Sequence, residues 1–275
     1  MSDDIAWIDG RWGHPDALGI PLSDRGLQLA DGVFETILVR AGRTCLLEEH
    51  LRRWRTGADL LGLPDPPPKH WLEPLIHQAI QRAGLVDGNG ALRLNWSRGS
   101  SRTRGLAVAE ISEPRAWLSL QHCSLTFSSI AAVISRHERR NPWSRLSRCK
   151  SFAYGQGIQA RREAQAAGAD DALLLNTENE LCSGTASNLL VHRKGAWLTP
   201  PLSSGCLPGV MRGRALATGI CREAALGRFL QPSDQALLIN SLSCRAIASV
   251  NGAAISRHNN PAALWNSLLA EEDAH

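Results

Sequence analysis

The sequence is short of lysine and of long apolar runs. Only three of its 30 basic residues are lysines, at positions 69, 150 and 194. No apolar run reaches the ~18 residues that a membrane-spanning helix needs. The acidic N-terminus lacks the basic and apolar stretches of a signal peptide. We therefore expect a protein without a membrane span or a secretory leader.

The sequence also lacks the spacings that hold metal ions. Its seven cysteines include no CxxC pair, and its nine histidines show no HxxxH or HExxH spacing. We expect reduced thiols in a cytoplasmic protein and no metal centre. The net charge of +4 is too small by itself to indicate a nucleic-acid partner.

The length of 275 residues fits about two domains. The first part combines a strand-forming run at residues 33–39 with two helical patterns, which begin near Leu47 and Trp71. After a short linker, further strand patterns alternate with helical ones. We therefore predict an α+β fold, with a smaller N-terminal domain at residues 1–122 and a larger C-terminal domain at residues 130–275.

Lys150 stands out because the chain rarely uses lysine. An uncharged lysine amine can attack a carbonyl group, whereas the arginine side chain stays protonated. The run from Ser151 to Ala167 is predicted to be a helix, so Lys150 would lie at the positive end of a helix dipole. Arg145 and Arg148 are close in sequence, and both effects would disfavour the ammonium form. Without further context, an ordinary surface lysine remains the alternative.

Four stretches, taken together and in order, resemble a known family. They are DRGLQLADGVFETILV, EEHLRRW, Lys150 followed by a helical run and DDALLL, and GTASNLLV followed by LTPPLSSGCLPGVMR. This set resembles the fold-type IV pyridoxal 5'-phosphate (PLP) enzymes, the class IV aminotransferase family. The family includes branched-chain and D-amino-acid aminotransferases and aminodeoxychorismate lyase. The resemblance implies PLP as the cofactor, a small-molecule substrate and a homodimer, with no nucleic-acid or membrane partner.

The resemblance also implies roles for individual residues. Lys150 matches the lysine that bonds covalently to the PLP aldehyde and later moves a proton. Arg53 matches the arginine that binds the PLP phosphate, for which its planar fork is suited. Val210 and Met211 match backbone amides that meet the phosphate at a helix start. Ser241 matches a hydroxyl group that reaches the same phosphate.

Each of these positions also has an ordinary interpretation. Arg53 could form a surface pair with Glu49, four residues earlier on the predicted helix. The turn at Gly209 could simply begin a helix, and Ser241 could simply form a turn. The residues alone leave these alternatives open.

Ser183 departs from the pattern of the family. The family usually has a glutamate five residues before the position of Asn188, where its carboxylate keeps the PLP ring nitrogen protonated. This chain has Ser183 there, and Glu180 would point to the other face of a strand. A hydroxyl group carries no charge, so the ring would withdraw electrons less strongly. We hypothesise that this favours elimination over transamination; a register error of a few residues is the alternative.

The basic stretch SRGSSRTRG at residues 97–105 distinguishes among family members. It is predicted to be a loop and resembles the SRG…RG loop of aminodeoxychorismate lyases. In that case Arg98 and Arg104 would bind the substrate carboxylates, and a solvated basic loop is the alternative. The FET motif at residues 34–36 also resembles the lyase, with Thr36 handing a proton to the leaving group.

The sequence therefore predicts a PLP-dependent lyase that converts 4-amino-4-deoxychorismate to 4-aminobenzoate and pyruvate, a step of folate biosynthesis. A D-amino-acid or branched-chain aminotransferase of the same fold is the main alternative. An arginine-rich nucleic-acid binder is disfavoured because the basic loop has no aromatic residues. A relative that binds PLP but has lost activity also remains.

Overall fold

The computed structural model describes residues 4–101, 105–108 and 113–269. These residues form two compact units. Unit 1 contains the chain up to Ser124, and unit 2 contains most of the remaining chain. Among the described residues, no helix has the length and apolar character needed to cross a membrane.

The division differs from the sequence prediction at one internal segment. Residues 130–275 were predicted to form a single C-terminal domain, but Cys149–Ala153 belongs to unit 1. Unit 2 therefore consists of Leu125–Arg148 and the chain from Tyr154 onward. The segment that contains Lys150 is part of the N-terminal unit.

Unit 1 is a six-stranded sheet with three helices. In chain order its elements are β1 (Ile5–Ile8), β2 (Arg11–Gly13), α1 (Arg25–Leu29), β3 (Gly32–Arg40), β4 (Arg43–Thr44), α2 (Leu47–Leu60), α3 (Lys69–Arg82), β5 (Asn89–Ser100) and β6 (Glu113–His122). The strand order is β2-β1-β6-β5-β3-β4, and all neighbours pair antiparallel. The predicted helix from Leu47 is confirmed.

The two faces of this sheet have different roles. On one face, apolar residues of β3 and β5 pack with α2 and α3. This core includes Val33, Ile37, Leu92 and Leu94 from the strands, and Trp54 and Ile76 from the helices. Strand side chains alternate between faces, so Phe34 and Thr36 of β3 point to the opposite face. Thr36 is the direct partner of Arg93 on β5, which places these two side chains on the same side.

The segment Cys149–Ala153 lies along the first residues of β3. The Phe34 amide donates to the Lys150 carbonyl over 2.9 Å, and the Phe152 amide donates to the Gly32 carbonyl over 3.0 Å. Glycine is needed at position 32, because a Cβ atom there would lie 2.3 Å from the Phe152 ring. The approach of the two backbones fixes Lys150 beside Phe34.

Unit 2 contains nine strands and three helices among its described residues. In chain order they are β7 (Ile130–Arg140), α4 (Gly155–Ala166), β8 (Asp171–Asn176), β9 (Leu181–Ser183), β10 (Asn188–Arg193), β11 (Ala196–Thr199), α5 (Val210–Ala217), β12 (Cys221–Glu223), β13 (Gln235–Asn240), β14 (Ser243–Val250), β15 (Ala253–Ala254) and α6 (Pro261–Leu269). The strand order is β12-β11-β10-β13-β14-β7-β8-β9, with β15 on β14. Since β9 also pairs with β10, six of these strands close into a ring.

Two local predictions are wrong. The helix expected from Ser151 begins only at Gly155, because Ser151 pairs with Val33 instead. The helix-dipole argument for Lys150 therefore loses its basis. The stretch expected to be a loop from Ser97 is in fact strand up to Ser100.

Candidate active site

A buried ionic cluster lies on the helical side of unit 1. Glu35 of β3 is fully buried, and its carboxylate accepts two hydrogen bonds from Arg53 of α2, at 2.8 and 2.5 Å. His50 lies one helical turn before Arg53, and its Nδ1 donates to the same carboxylate over 2.7 Å. The carboxylate of Glu35, on β3, therefore positions the Arg53 guanidinium. Arg53 forms these bonds with Glu35 and not with Glu49, the partner considered from the sequence.

The protonation states within this cluster follow from its charges. Burial alone would raise the pKa of Glu35, but the charge and hydrogen bonds of Arg53, with the hydrogen bond from His50, lower it to about 2. Burial lowers the pKa of His50, and the positive charges of Arg53 and Lys150 act in the same direction, against the carboxylate. We conclude that Glu35 is ionised and His50 is neutral near pH 7.

Lys150 and Arg93 meet at one aromatic ring on the other side of the sheet. The Lys150 Nζ lies 4.2 Å from the centroid of the Phe34 ring, and the Arg93 guanidinium carbon lies 3.6 Å from it. The Arg93 Nε donates to Asn95 over 2.8 Å. The ring of Phe34 thus contacts both an amine and a guanidinium group.

Thr36 adds a hydroxyl group to this face. Its side chain is half-buried and lies directly across from Arg93 in the β3–β5 pairing. Among the described residues, its hydroxyl group has no hydrogen-bond partner. We call the face formed by Lys150, Arg93, Phe34 and Thr36 the amine face.

The two arginines proposed as substrate ligands have different outcomes. Arg98 is only 4 % exposed, and its guanidinium donates to Asp31 at 2.7 and 3.2 Å and to the carbonyls of Leu61 and Gly62 at 2.8 and 2.9 Å. These bonds give Arg98 a structural role in place of the expected substrate contact. Arg104 lies outside the described residues.

In unit 2, the start of α5 presents backbone amides. The first N–H groups of a helix have no partner within the helix, and no side chain caps this end at Gly209. Val210 and Met211 are the first residues of the helix and are buried. A Cβ atom at Gly209 would lie 1.8 Å from the Asn188 Oδ1, so only glycine allows the turn to sit this close to β10.

Ser183 and Ser241 are both held in regular structure. Ser183 ends β9, is 7 % exposed and pairs with Asn188. Ser241 lies in the tight turn that joins β13 to β14. Glu180 is bonded to Asn176: its amide donates to the Asn176 Oδ1 over 2.9 Å, and its carboxylate accepts from the Asn176 Nδ2 over 3.3 Å.

Comparisons with known proteins identify the family of the chain. The family model for amino-transferase class IV matches residues 32–250. A bifunctional aminodeoxychorismate lyase / D-amino acid transaminase from Mycobacterium tuberculosis is 30 % identical over 214 residues, which cover 72 % of this chain and 71 % of that protein. The aminodeoxychorismate lyase of Bacillus subtilis is 28 % identical over 248 residues, with coverage of 86 % and 83 %. A solved structure of a hypothetical aminotransferase from Mycobacterium tuberculosis, in its PLP-bound form, has a TM-score of 0.81 at 25 % identity, with coverage of 96 % and 98 %.

The fold and these relatives define a PLP enzyme of fold type IV. The chain belongs to the amino-transferase class IV family. The predicted family, fold class and cofactor are therefore confirmed. Each unit, taken by itself, has a group of the kind that PLP requires: unit 1 has an amine that suits its aldehyde, and unit 2 has an uncapped helix start that suits an anionic group, at a turn that only glycine allows.

The sequence analysis missed three residues of this arrangement. Arg93 belongs to the alternating run ALRLNW, whose polar positions face away from the core; the alternation could have revealed it. His50 lies three residues before Arg53, which was predicted, so the two share one face of the helix; this spacing could have revealed His50. Glu35 gave no signal of its own, because its partners come from a different element.

Proposed function

We propose that the protein is an aminodeoxychorismate lyase, which releases 4-aminobenzoate and pyruvate from 4-amino-4-deoxychorismate. The observation that carries the proposal is the amine face, where Lys150 and Arg93 contact one ring and Thr36 lies beside Arg93. It combines a base, a hydroxyl group and a binder of carboxylates, and the substrate has one amino group and two carboxylates. Two similar proteins carry the lyase name.

Lys150 is the proposed base. PLP, when bound, withdraws electrons from the carbon that carries the substrate nitrogen and so makes its proton acidic. The Lys150 Nζ, as a neutral amine, accepts that proton. The hydrogen bond from the Phe34 amide to the Lys150 carbonyl and the ring of Phe34 keep the amine in place.

Arg93 and Thr36 act on the rest of the substrate. The guanidinium of Arg93 binds a substrate carboxylate, for which its fork of donors is suited. The hydroxyl of Thr36 donates a proton to the ether oxygen as the C–O bond breaks, and the proton that Lys150 has taken up returns to Thr36. The enolpyruvate that leaves then tautomerises to pyruvate. Loss of that group makes the ring aromatic, which drives release of both products.

The remaining residues hold PLP. We propose that Arg53, fixed by Glu35, binds the phosphate group. The backbone amides of Val210 and Met211 and the hydroxyl of Ser241 are proposed to bind it as well. Ser183 is proposed to meet the ring nitrogen, where it supplies no negative charge.

A D-amino-acid transaminase is the second candidate, because the Mycobacterium tuberculosis relative carries both activities in its name. Ser183 bears on this choice. We expect Ser183→Glu to raise transamination relative to elimination, since a carboxylate would stabilise the protonated ring. The measurement is the ratio of the two activities in single-turnover experiments. An unchanged ratio would show that Ser183 does not direct the reaction.

We further propose a homodimer in the cytoplasm. All seven cysteines are free thiols, as expected in a reducing compartment. The dimer is an expectation from the family. Light scattering of the purified protein tests it, and a mass of one chain at working concentrations would contradict it.

The lyase proposal is tested by supplying 4-amino-4-deoxychorismate without any 2-oxo acid. We expect equal amounts of 4-aminobenzoate and pyruvate. Lys150→Ala should abolish the activity and the borohydride-reducible absorbance of the holoenzyme. The matched control is Lys69→Ala, which removes an exposed lysine paired with Glu48 and should leave both unchanged. Turnover that requires a 2-oxo acid would instead indicate the transaminase.

A further inference from the structure

Unit 2 contains a cavity of about 660 Å³ beside β7. Its volume is within the range of about 300–1,000 Å³ that is typical of small-molecule sites. It is lined by residues of β7 up to Arg139, by the turn before β8, by Leu175 and Arg228, and by residues at and just after the end of β14. None of its lining residues is among those proposed to bind PLP or substrate.

Three arginines line the cavity, and no carboxylate among the described residues does. Arg136 and Arg228 are exposed, and Arg139 is half-buried. The Arg139 Nη1 donates to the carbonyls of Ser135 and Glu138, at 2.6 and 3.0 Å. Within the described part of the chain, none of the three forms an ion pair with an acidic side chain, whereas several other arginines do.

Two acidic residues beside β7 are engaged by that strand, and Glu138, on β7 itself, does not line the cavity. The carboxylate of Glu163 accepts from the Ser135 hydroxyl over 2.7 Å and from the Arg136 amide over 2.6 Å. Asp170 accepts from the Ala131 amide over 2.9 Å. Both carboxylates bind uncharged groups of β7, and neither forms an ion pair with Arg136, Arg139 or Arg228 among the described residues.

The cavity lies where β7 departs from regular pairing. The register of β7 with β8 shifts between Ile134 and Arg139. The Ile134 amide donates to the side chain of Asn251 over 3.0 Å instead of to a strand backbone. Such irregularities redirect side chains and often occur beside functional sites. Here the shift covers the part of β7 that carries Arg136 and Arg139.

We propose that this cavity binds a small polyanion, a molecule with at least two phosphate or carboxylate groups. The guanidinium group matches both kinds of anion, because its parallel N–H groups can bind two oxygens at once. Three arginines around one space suit a ligand with more than one acidic group. Ser249 and Asn251, which also line the cavity, add neutral hydrogen-bonding groups. The proposal does not depend on the reaction catalysed.

The test is calorimetric titration of the holoenzyme at low ionic strength with two probes, tripolyphosphate and citrate. In the holoenzyme PLP occupies the phosphate-binding residues, which removes them as competing sites. We expect saturable binding of at least one probe, with one site per chain. Arg136→Gln and Arg228→Gln should each raise the Kd by about tenfold, because each variant loses one charge-assisted interaction with the probe. Both residues are exposed, so the variants should fold.

The control is Arg222→Gln, an exposed arginine on β12 that does not line the cavity. It should leave the Kd unchanged within a factor of about two, because exposed charges outside the site act only at long range. Binding of tripolyphosphate alone or citrate alone would support the proposal and identify the acidic group. Absence of saturable binding for both probes, or equal Kd values in all variants, would overturn it.

Discussion

Replacing Glu35 by glutamine should destabilise the protein by about 3 kcal/mol near neutral pH. In the folded state the pKa of Glu35 falls from its ordinary 4.5 to about 2. Each pKa unit corresponds to about 1.4 kcal/mol, which gives roughly 3 kcal/mol of interaction between the ionised carboxylate and its partners. Glutamine has nearly the same shape but no charge, and it removes the carboxylate charge that faces Arg53.

The same cluster predicts how stability depends on pH. A depressed folded-state pKa contributes stability that is fully present above the unfolded-state pKa of 4.5 and is lost as pH falls toward about 2. Between these values the wild type should lose the contribution of Glu35, whereas Glu35→Gln should lack that part of the pH dependence. The two stability curves should therefore converge at acidic pH.

Urea unfolding of the apoprotein, followed by tryptophan fluorescence, measures both effects. The control is Glu48→Gln, which changes the same side-chain chemistry in an exposed pair with Lys69 and should have little effect. Glu35→Gln should also weaken PLP binding, because Arg53 loses the carboxylate that orients it. If Glu35→Gln unfolds at the same urea concentration as wild type at neutral pH, the electrostatic account of the cluster is wrong.

Three further substitutions test the other parts of the arrangement. Gly209→Ala should weaken PLP binding, measured by absorbance after dialysis, because its Cβ would overlap the Asn188 Oδ1 at 1.8 Å; binding equal to wild type would remove this turn from the proposed site. Arg98→Ala should lower stability to urea by about 3 kcal/mol, since it removes the donors that the buried Arg98 side chain gives to Asp31 and to the carbonyls of Leu61 and Gly62, while Asp31 keeps its bond from Arg25. Arg93→Ala should instead raise KM by about tenfold or more with little change in stability. The opposite pattern for the two arginines would return the substrate-binding role to Arg98.

Local patterns were enough to locate most elements of the fold. The apolar spacing from Leu47 predicted α2, and the strand-forming run at residues 33–39 predicted the strand that carries Glu35 and Thr36. Each of these patterns is local: the first extends over a few helical turns and the second over a few strand residues. The family resemblance then supplied the cofactor, which composition and periodicity could not.

Long-range pairing explains what local patterns missed. Ser151 was predicted to start a helix, but it pairs with Val33, more than a hundred residues earlier. The strand β14 was also missed. Its start alternates between half-buried Ser243 and Arg245 and buried Cys244 and Ala246, but Ile247 breaks the alternation after four residues, which leaves too short a pattern to indicate a strand.

The choice between Arg98 and Arg93 shows how secondary structure decides the role of a charged residue. A basic stretch interpreted as a loop suggests solvent-facing guanidinium groups, which made Arg98 a substrate ligand. In the structure Arg98 lies in a strand, where its side chain is buried and donates to Asp31 and to two backbone carbonyls. These bonds stabilise the fold. The same strand directs Arg93 toward Phe34 and Thr36. Strand register therefore determines which guanidinium group can reach a substrate. Neither the number of arginines nor a motif match gives that register.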